Sequence, residues 1–329
     1  MADAIVLRNL NKSFGTKVAV RDLDLTVPEG GLYGFIGPNG AGKTTTIRMI
    51  MAIMFQDHGE ITVLGRKSAL EAKDRIGYLP EERGLYKKMK VGAFLNYIGR
   101  LKGDERADLP QRVRGWLERV GLQDVENKRC EELSKGMQQK VQYIAAVLHE
   151  PDLLILDEPF SGLDPVNMRL LRDLVLEQHR RGATVLFSTH VMVQAEQICE
   201  HIIMIHDGLK VLDASLSQIR GSHTPHSLWF EPLDGAADLA PLRRIPHVAD
   251  VVRRDGAHEI VFAAGAQPAA VMRAVIEAVP AARIELLRPT LEDIFISMVA
   301  ASDGKGDEDA NRLRDALRDP ALPMGGAPA

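Results

Sequence analysis

The sequence has 329 residues, of which 45% are hydrophobic and 26% charged, so it predicts about two packed domains and excludes a disordered chain. Its 41 Lys and Arg against 45 Asp and Glu give a net charge of −4, which offers no general positive field for nucleic acid. The longest apolar run, residues 49–55, is much shorter than the roughly 20 residues of a membrane-spanning helix. The first residues do not resemble a secretory signal, and Cys130 and Cys199 are widely separated, as is typical of a reducing compartment. We therefore expect a cytoplasmic protein in which both cysteines have structural roles.

Short apolar runs alternate with helical patterns over the first 220 residues. Four runs are too short and too apolar for surface helices and predict strands buried on both faces: residues 32–36, 153–156, 184–187 and 202–205. The spacing of one buried helix face occurs at Val141, Ile144, Ala145 and Leu148. Residues 1–220 are therefore predicted to form an α/β domain with a largely parallel sheet.

Three other segments have a different pattern. Residues 85–135 have helical stripes without strand signals, which predicts a helical subdomain inserted in the first domain. Residues 221–300 mix strand patterns with two helical stripes and predict a small α+β domain. Residues 301–329 are rich in Asp, Gly, Pro and Ala, so we expect them to lack a fixed structure.

A glycine-rich segment follows the first of the buried strands and precedes a helical pattern. Residues 37–44 fit the spacing G-x-x-x-x-G-K-T. Backbone N–H groups in such a loop surround a phosphate, the helix N-terminus adds a partial positive charge, and Lys43 adds a full one. The Thr44 hydroxyl is a candidate Mg²⁺ ligand. The predicted nucleotide-binding residues of this segment are Gly37, Pro38, Asn39, Gly40, Ala41, Gly42, Lys43, Thr44 and Thr45.

Two carboxylates end the buried run at 153–156. In an open α/β sheet, the carboxyl end of such a strand lies beside the phosphate loop, where ligands bind. Asp157 is therefore predicted to hold Mg²⁺, as the corresponding aspartate does in other P-loop NTPases. Glu158 is placed to act as the general base that activates a water molecule for attack on the γ-phosphate.

Residues 133–139 read LSKGMQQ and resemble the LSGGQ signature of the ATP-binding cassette (ABC) family. Residues 161–164 resemble its D-loop, His190 resembles its switch histidine, and Phe14 stands where the family has the aromatic that stacks on adenine. The resemblance covers about residues 4–220. It implies a P-loop NTPase cassette that binds ATP with Mg²⁺, with Glu158, His190 and Lys43 as catalytic residues.

The resemblance also implies a homodimer. Because a helix N-terminus binds anions, a helix that begins near Ser134 and Gly136 could bind a γ-phosphate. In the family this helix contacts the nucleotide of the partner copy, so two copies enclose two ATP molecules. Ser134, Gly136 and Asp164 are accordingly predicted to bind the partner's nucleotide.

The sequence differs from the family pattern at two positions. Glu81 stands where the family usually has a glutamine that touches Mg²⁺, and it is either a metal ligand or a solvated loop residue. Lys135 replaces a glycine of the signature, and it either adds a cation near the phosphate or points into solvent.

A segment near the end of the second domain, residues 288–295, resembles the branch of ABC subunits that drive drug, antibiotic or sodium-ion export. This implies an integral-membrane permease as partner and attachment to the inner face of the cell membrane through it. The basic run at 83–90 is either a docking rim for that permease or an ordinary solvated turn. The alternatives are a soluble ABC regulator acting on ribosomes or DNA, and a small-molecule kinase, which would not need the signature.

Overall fold

The structure is a computed structural model that describes residues 2–82, 84–222, 225–254 and 256–303. It divides into two compact units after Leu216. In the first unit, the strands are β1 (Asp3–Phe14), β2 (Lys17–Pro28), β3 (Leu32–Ile36), β4 (His58–Val63), β5 (Ile76–Leu79), β6 (Leu153–Asp157), β7 (Thr184–Thr189), β8 (His201–His206) and β9 (Leu209–Ser215). Its helices are α1 (Lys43–Ile50), α2 (Val91–Leu101), α3 (Leu109–Arg119), α4 (Lys135–Val147), α5 (Pro165–Arg180) and α6 (Met192–Ile198).

A six-stranded sheet in the order β5-β6-β7-β3-β8-β9 forms the centre of this unit. Its strands are parallel except β9, which pairs antiparallel with β8, so the predicted α/β fold is confirmed. All residues of β3, β6 and β7 are buried, as the continuous apolar runs predicted. The carboxyl ends of β3, β5, β6 and β7 share one edge, which positions the candidate site.

A second sheet, β2-β1-β4, is antiparallel and was not predicted. Burial alternates clearly only at Leu23, Leu25 and Val27 of β2, and register shifts interrupt the β1–β2 ladder at several points. Ile5, Leu7 and Val20 from this sheet share one buried cluster with Phe35 and Ile155 from the six-stranded sheet. The two sheets therefore pack around a common core.

Helices α2, α3 and α4 form the helical subdomain. It extends beyond the predicted limit at 135, because α4 packs against both α2 and α3. The ring of Trp116 on α3 lies edge-on to that of Tyr143 on α4, with centroids 6.3 Å apart. Among the described residues of the whole chain, no helix has the length and apolar character needed to cross a bilayer. Cys130 and Cys199 are both buried free thiols, consistent with structural roles.

The second unit contains a four-stranded antiparallel sheet in the order β11-β12-β10-β13. The elements from the boundary onward are α7 (Leu216–Ser222), β10 (Ser227–Pro232), β11 (Val248–Arg254), β12 (Ala257–Phe262), α8 (Pro268–Ala278), β13 (Ala281–Leu287) and α9 (Leu291–Asp303). The predicted α+β class is confirmed, and the strand order with its split connections is that of a ferredoxin-like fold. Phe230, Ile260 and Val275 lie in its core. Helix α9 ends three residues inside the segment expected to lack structure, and residues 304–329 lie outside the described residues.

An ion cluster stabilises the helical subdomain. The side chain of Asp104, only 1% exposed, accepts hydrogen bonds from Arg106 at 2.8 Å and from Arg112 at 2.5 Å. Arg112 also donates to the carbonyl oxygen of Leu148, near the end of α4. The hydrogen bonds from Arg106, followed by those from Arg112, hold the pKa of Asp104 well below its usual range. The cluster therefore connects the loop after α2 to the C-terminal end of α4, the signature helix, which begins in the signature segment.

We predict that Asp104→Asn lowers the free energy of unfolding at neutral pH by about 2 kcal/mol, because a buried charge-assisted network is broken. The pKa of Asp104 is lower in the folded than in the unfolded chain. The stabilisation by the ionised carboxylate is therefore present above the pKa of Asp in the unfolded chain, and it declines as the pH falls below about 4. Urea denaturation at several pH values measures this. Glu177→Gln, which removes an exposed ion pair with Arg119, is the matched control and should change the stability by less than about 1 kcal/mol. Equal effects of the two substitutions would contradict the role of the cluster.

Candidate nucleotide-binding site

The loop between β3 and α1 has a backbone that requires glycine at two positions. Gly37 has φ 155° and Gly42 has φ 105°. A Cβ at Gly37 would lie 2.1 Å from the carbonyl oxygen of Ile205, and one at Gly42 would lie 2.3 Å from that of Ala19. Gly42 is also the N-cap of α1, so no side chain caps the first turn of this helix. The N–H groups at this helix end are thus available to an anion.

Lys43 lies over this loop, almost completely buried. Its Nζ donates to the carbonyl oxygens of Gly37 at 2.7 Å and Pro38 at 3.0 Å. Burial lowers the pKa of Lys43, and the carboxylates of Glu158, Asp157 and Glu81 oppose that shift. The ammonium group of Lys43 therefore lies between the loop carbonyls and the three carboxylates.

Asp157 ends β6 beside Ser188 of β7 and is fully buried. Within the described residues, neither of its carboxylate oxygens has a hydrogen bond of good geometry. Burial raises the pKa of Asp157 above its usual range, and the nearby hydroxyls of Ser188 and Thr44 oppose this only in part. A buried carboxylate with both oxygens unpartnered, next to a threonine hydroxyl, fits the oxygen-rich set of ligands that Mg²⁺ takes.

Glu158 has a left-handed backbone, with φ 49°, and is 7% exposed. Its Oε2 accepts a hydrogen bond from Thr189 Oγ1 at 3.2 Å, and its Oε1 accepts one from the backbone N–H of His190 at 2.9 Å. His190 Nδ1 lies 2.7 Å from the same Oε1. Because a carboxylate only accepts, Nδ1 carries the proton, and the carboxylate of Glu158 is held in one orientation.

A cavity of about 360 Å³ joins these elements. Nine of the predicted site residues line it: Phe14, Asn39, Gly40, Gly42, Lys43, Thr44, Thr45, Glu81 and Glu158. The cavity therefore brings the aromatic of β1, the phosphate loop and two carboxylates together. Phe14 is 48% exposed, so one face of its ring is open to a ligand.

The structure adds residues that the sequence analysis missed. Lys17 and Ala19 line the cavity from the start of β2, and Lys17 pairs with Phe14 across the β1–β2 turn. The sequence could have indicated this role for Lys17, because it lies only three residues after Phe14, the candidate adenine-stacking aromatic. The Thr189 hydroxyl that contacts Glu158 could have been noticed as the polar end of a buried strand, directly before His190.

The residues predicted to act on the partner copy lie outside this cavity. Ser134 is exposed and is the N-cap of α4, where its Oγ accepts from the Met137 N–H at 3.3 Å. Gly136 lies within the first turn of α4 rather than before the helix, because capping by Ser134 starts the helix at Lys135. Lys135 is exposed, which is compatible with both interpretations of this residue. Asp164 is the exposed N-cap of α5 and accepts from the N–H groups of Val166 and Asn167 at 3.0 Å.

Two hydrogen bonds connect the signature helix to the loops of the site. Gln139 Nε2 donates to the carbonyl oxygen of Pro159 at 3.0 Å, directly after Glu158 in the chain. Gln142 Nε2 donates to the carbonyl oxygen of Glu82 at 3.4 Å, directly after Glu81. Helix α4 is therefore in direct contact with both carboxylate-bearing loops.

The sequence matches two family models, one of ABC transporters over residues 20–161 and one of the C-terminal domain of DrrA1-3-like ATP-binding proteins over residues 215–299. The ABC transporter ATP-binding protein YhaQ of Bacillus subtilis is 42% identical over 90% of this chain and 99% of its own length. The bacitracin transport ATP-binding protein BcrA of Enterococcus faecalis is 31% identical, over 78% of this chain and 83% of its own.

The fold is also similar to solved structures. An ATP-binding subunit of an ABC transporter matches with a TM-score of 0.62 and 30% identity, over 67% of this chain and 92% of its own. The ATP-binding cassette MJ1267 in its ADP conformation matches with a TM-score of 0.57 over 66% of this chain and 93% of its own, and at 22% identity it supports the fold alone. The chain therefore belongs to the family of ABC transporter ATP-binding proteins, whose cassettes hydrolyse ATP to power transport.

Proposed function

We propose that two copies of this chain hydrolyse ATP at their shared interface and thereby drive an exporter whose membrane channel is a separate permease. The observation that carries this proposal is the orientation of Glu158. Its carboxylate lines the same cavity as Lys43 and Thr44 and is fixed by Thr189 and His190. A carboxylate held in this way can accept the proton of a water molecule that attacks the γ-phosphate, while ADP and phosphate leave as products.

The remaining residues of the cavity bind and orient the nucleotide. Phe14 stacks on the adenine ring, and the loop from Gly37 to Thr45 surrounds the phosphates with N–H groups. Lys43 then exchanges its bonds to the loop carbonyls for bonds to phosphate oxygens. Thr44 and Asp157 would hold Mg²⁺, which would supply positive charge against the phosphates. Glu81 is exposed but lines the cavity, and we assign it to the cation rather than to a solvated loop.

A second copy of the chain contributes further residues to the nucleotide-binding site. Ser134 and Gly136 occupy an exposed helix N-terminus, and Asp164 occupies another, and none of the three lines the cavity of its own chain. We assign these residues to the γ-phosphate and the phosphate loop of the partner copy. Nucleotide then joins two copies, and hydrolysis weakens the contacts between them.

The assignment to an exporter with a permease partner rests on the relatives and on a surface of the helical subdomain. BcrA is a bacitracin transport protein by its name, and a further relative from Cupriavidus pinatubonensis is named for Nod factor export. The match to the DrrA1-3-like C-terminal domain agrees with the exporter branch. The comparisons give no support to the ribosome or DNA alternative.

Exposed cations and aromatic rings lie side by side on that surface. Tyr86 packs edge-on against Tyr97 at 5.9 Å, both rings are about half exposed, and Lys87 and Lys88 follow directly in the chain. Arg83, at the start of the predicted basic rim, lies outside the described residues. Half-exposed aromatic side chains of this kind are enriched at protein interfaces, so this surface suits a protein partner. Through this contact the chain is held at the inner face of the cell membrane.

We predict that Glu158→Gln lowers ATP hydrolysis by about 10²- to 10⁴-fold, because glutamine cannot accept the proton. Since binding groups remain, ATP with Mg²⁺ should convert the variant to a stable dimer, whereas ADP should not. Size-exclusion chromatography with each nucleotide measures this. Lys43→Ala is the matched control: it should bind ATP about tenfold or more weakly and stay monomeric. Wild-type turnover by Glu158→Gln would contradict the role of the base.

We also predict that Glu81→Gln raises the Mg²⁺ concentration for half-maximal hydrolysis several-fold, about 3- to 10-fold, because a charged oxygen ligand is replaced by a neutral one. A titration of Mn²⁺ binding to the ADP-bound protein, followed by its electron paramagnetic resonance signal, should show the same loss of affinity. Glu82→Gln is the control, because Glu82 pairs with Arg48 at 3.1 Å and does not line the cavity. An unchanged metal affinity in Glu81→Gln would assign Glu81 to the solvated loop.

A further inference from the structure

A second cavity, of about 310 Å³, lies between α5 and α6. It is close in size to the nucleotide cavity, and the function proposed above uses none of the residues that line it. These are Phe160, Pro165, Met168, Arg169, Arg172, Gln194 and Gln197. A volume of this order is enough for a small organic ligand.

The lining of this cavity is cationic on one wall and neutral on the other. Arg169 and Arg172 come from α5, whereas α6 contributes two amides, and no carboxylate is among the lining residues. In the part of the chain that the structure describes, Arg169 makes no hydrogen bond or ion pair. The contact of Arg172 with Asp173 is 3.8 Å long. The positive charge of this wall is therefore largely uncompensated, which favours an anion.

The floor of the cavity is apolar, and the contacts that cross it are weak. Phe160 is buried and Met168 is half-buried. Gln194 Nε2 lies 3.9 Å from Met168 Sδ, and Arg172 Nη1 lies 3.3 Å from Gln197 Oε1. Both distances exceed the usual 2.9–3.0 Å of a good N–H···O bond, so an incoming anion could replace these contacts without much loss. Its apolar part would cover Phe160 and Met168.

One hydroxyl connects this cavity to the catalytic carboxylate. Thr189 Oγ1 lies 3.2 Å from Glu158 Oε2 and 3.4 Å from Gln194 Oε1. A threonine hydroxyl has a single proton, so it donates to only one of these acceptors at a time. Whatever orients Gln194 therefore decides how often Thr189 donates to Glu158.

We propose that the cavity between α5 and α6 binds a small organic anion, with one phosphate or carboxylate group on Arg169 and Arg172 and an apolar part on Phe160 and Met168. The anion also accepts from Gln194 Nε2, which faces Met168 in the cavity, and so keeps Gln194 Oε1 turned toward Thr189. The proton of Thr189 then goes to Gln194, so Glu158 loses one of the hydrogen bonds that orient its carboxylate. Occupancy of the cavity thus slows hydrolysis, a consequence that rests on the proposed role of Glu158.

The binding step is tested with phenyl phosphate as the probe, by titration calorimetry of the full chain in saturating ADP and Mg²⁺, which block the phosphate loop. We expect saturable binding that is weakened about tenfold by Arg169→Gln and by Arg172→Gln, since each loses a charge-assisted contact. Arg180→Gln, on the same helix but outside the cavity, is the matched control and should bind the probe like the wild type. No binding, or equal binding in all four proteins, would overturn the site, whether or not the chain hydrolyses ATP.

The coupling step is tested by hydrolysis kinetics with saturating phenyl phosphate. We expect a lower kcat with an unchanged KM for ATP, and no response in Gln194→Leu, in which the amide that reaches Thr189 is absent. An unchanged kcat at saturating probe would overturn the coupling. An increase in KM alone would place the probe at the nucleotide site and would overturn the proposal.

Discussion

The chemistry of this protein depends on an unbalanced group of charges at one edge of a parallel sheet. Asp157 and Glu158 are buried there, Glu81 lies beside them, and Lys43 is the cation that faces all three. A buried carboxylate without a partner is costly, and the fold keeps Asp157 in that state. Under the proposed function, a bound metal ion would supply the missing positive charge, which would couple binding energy to the geometry of the catalytic loops.

Under the proposed function, the same group of charges accounts for the need for a second copy. A γ-phosphate placed on Lys43 lies close to the carboxylates that activate water, so its own negative charge needs further donors. The exposed N-terminus of α4 at Ser134, which lies outside the cavity, offers such N–H groups to a second molecule. The bonds from Gln139 to Pro159 and from Gln142 to Glu82 then connect this contact to the loops that carry Glu158 and Glu81. Assembly and catalysis are thus linked through α4.

The sequence predicted the parts of the fold in which local pattern and tertiary environment agree. Strands β3, β6 and β7 are apolar because both faces are buried, and the glycines at 37 and 42 are required by close backbone contacts. Sheet β2-β1-β4 was missed because shifts in its register disturb the alternation of apolar residues. The ion cluster at Asp104 was also missed, because charged residues two and eight positions apart in and after a loop form no periodic pattern. The hydrogen bond of Thr189 to Glu158 was missed because it joins residues 31 positions apart. Such contacts have no local signature, so only the folded chain displays them.

The central claim is that each copy contributes residues to the catalytic centre of its partner. Its most direct test is to measure the ATP turnover of the purified subunit over about a thousandfold dilution at saturating ATP and Mg²⁺. We predict that the rate per subunit falls steeply as the protein is diluted below the concentration at which copies pair, and recovers when fresh wild-type chain is added. A rate per subunit that stays constant over the whole range, in a protein shown to be monomeric throughout, would contradict the account.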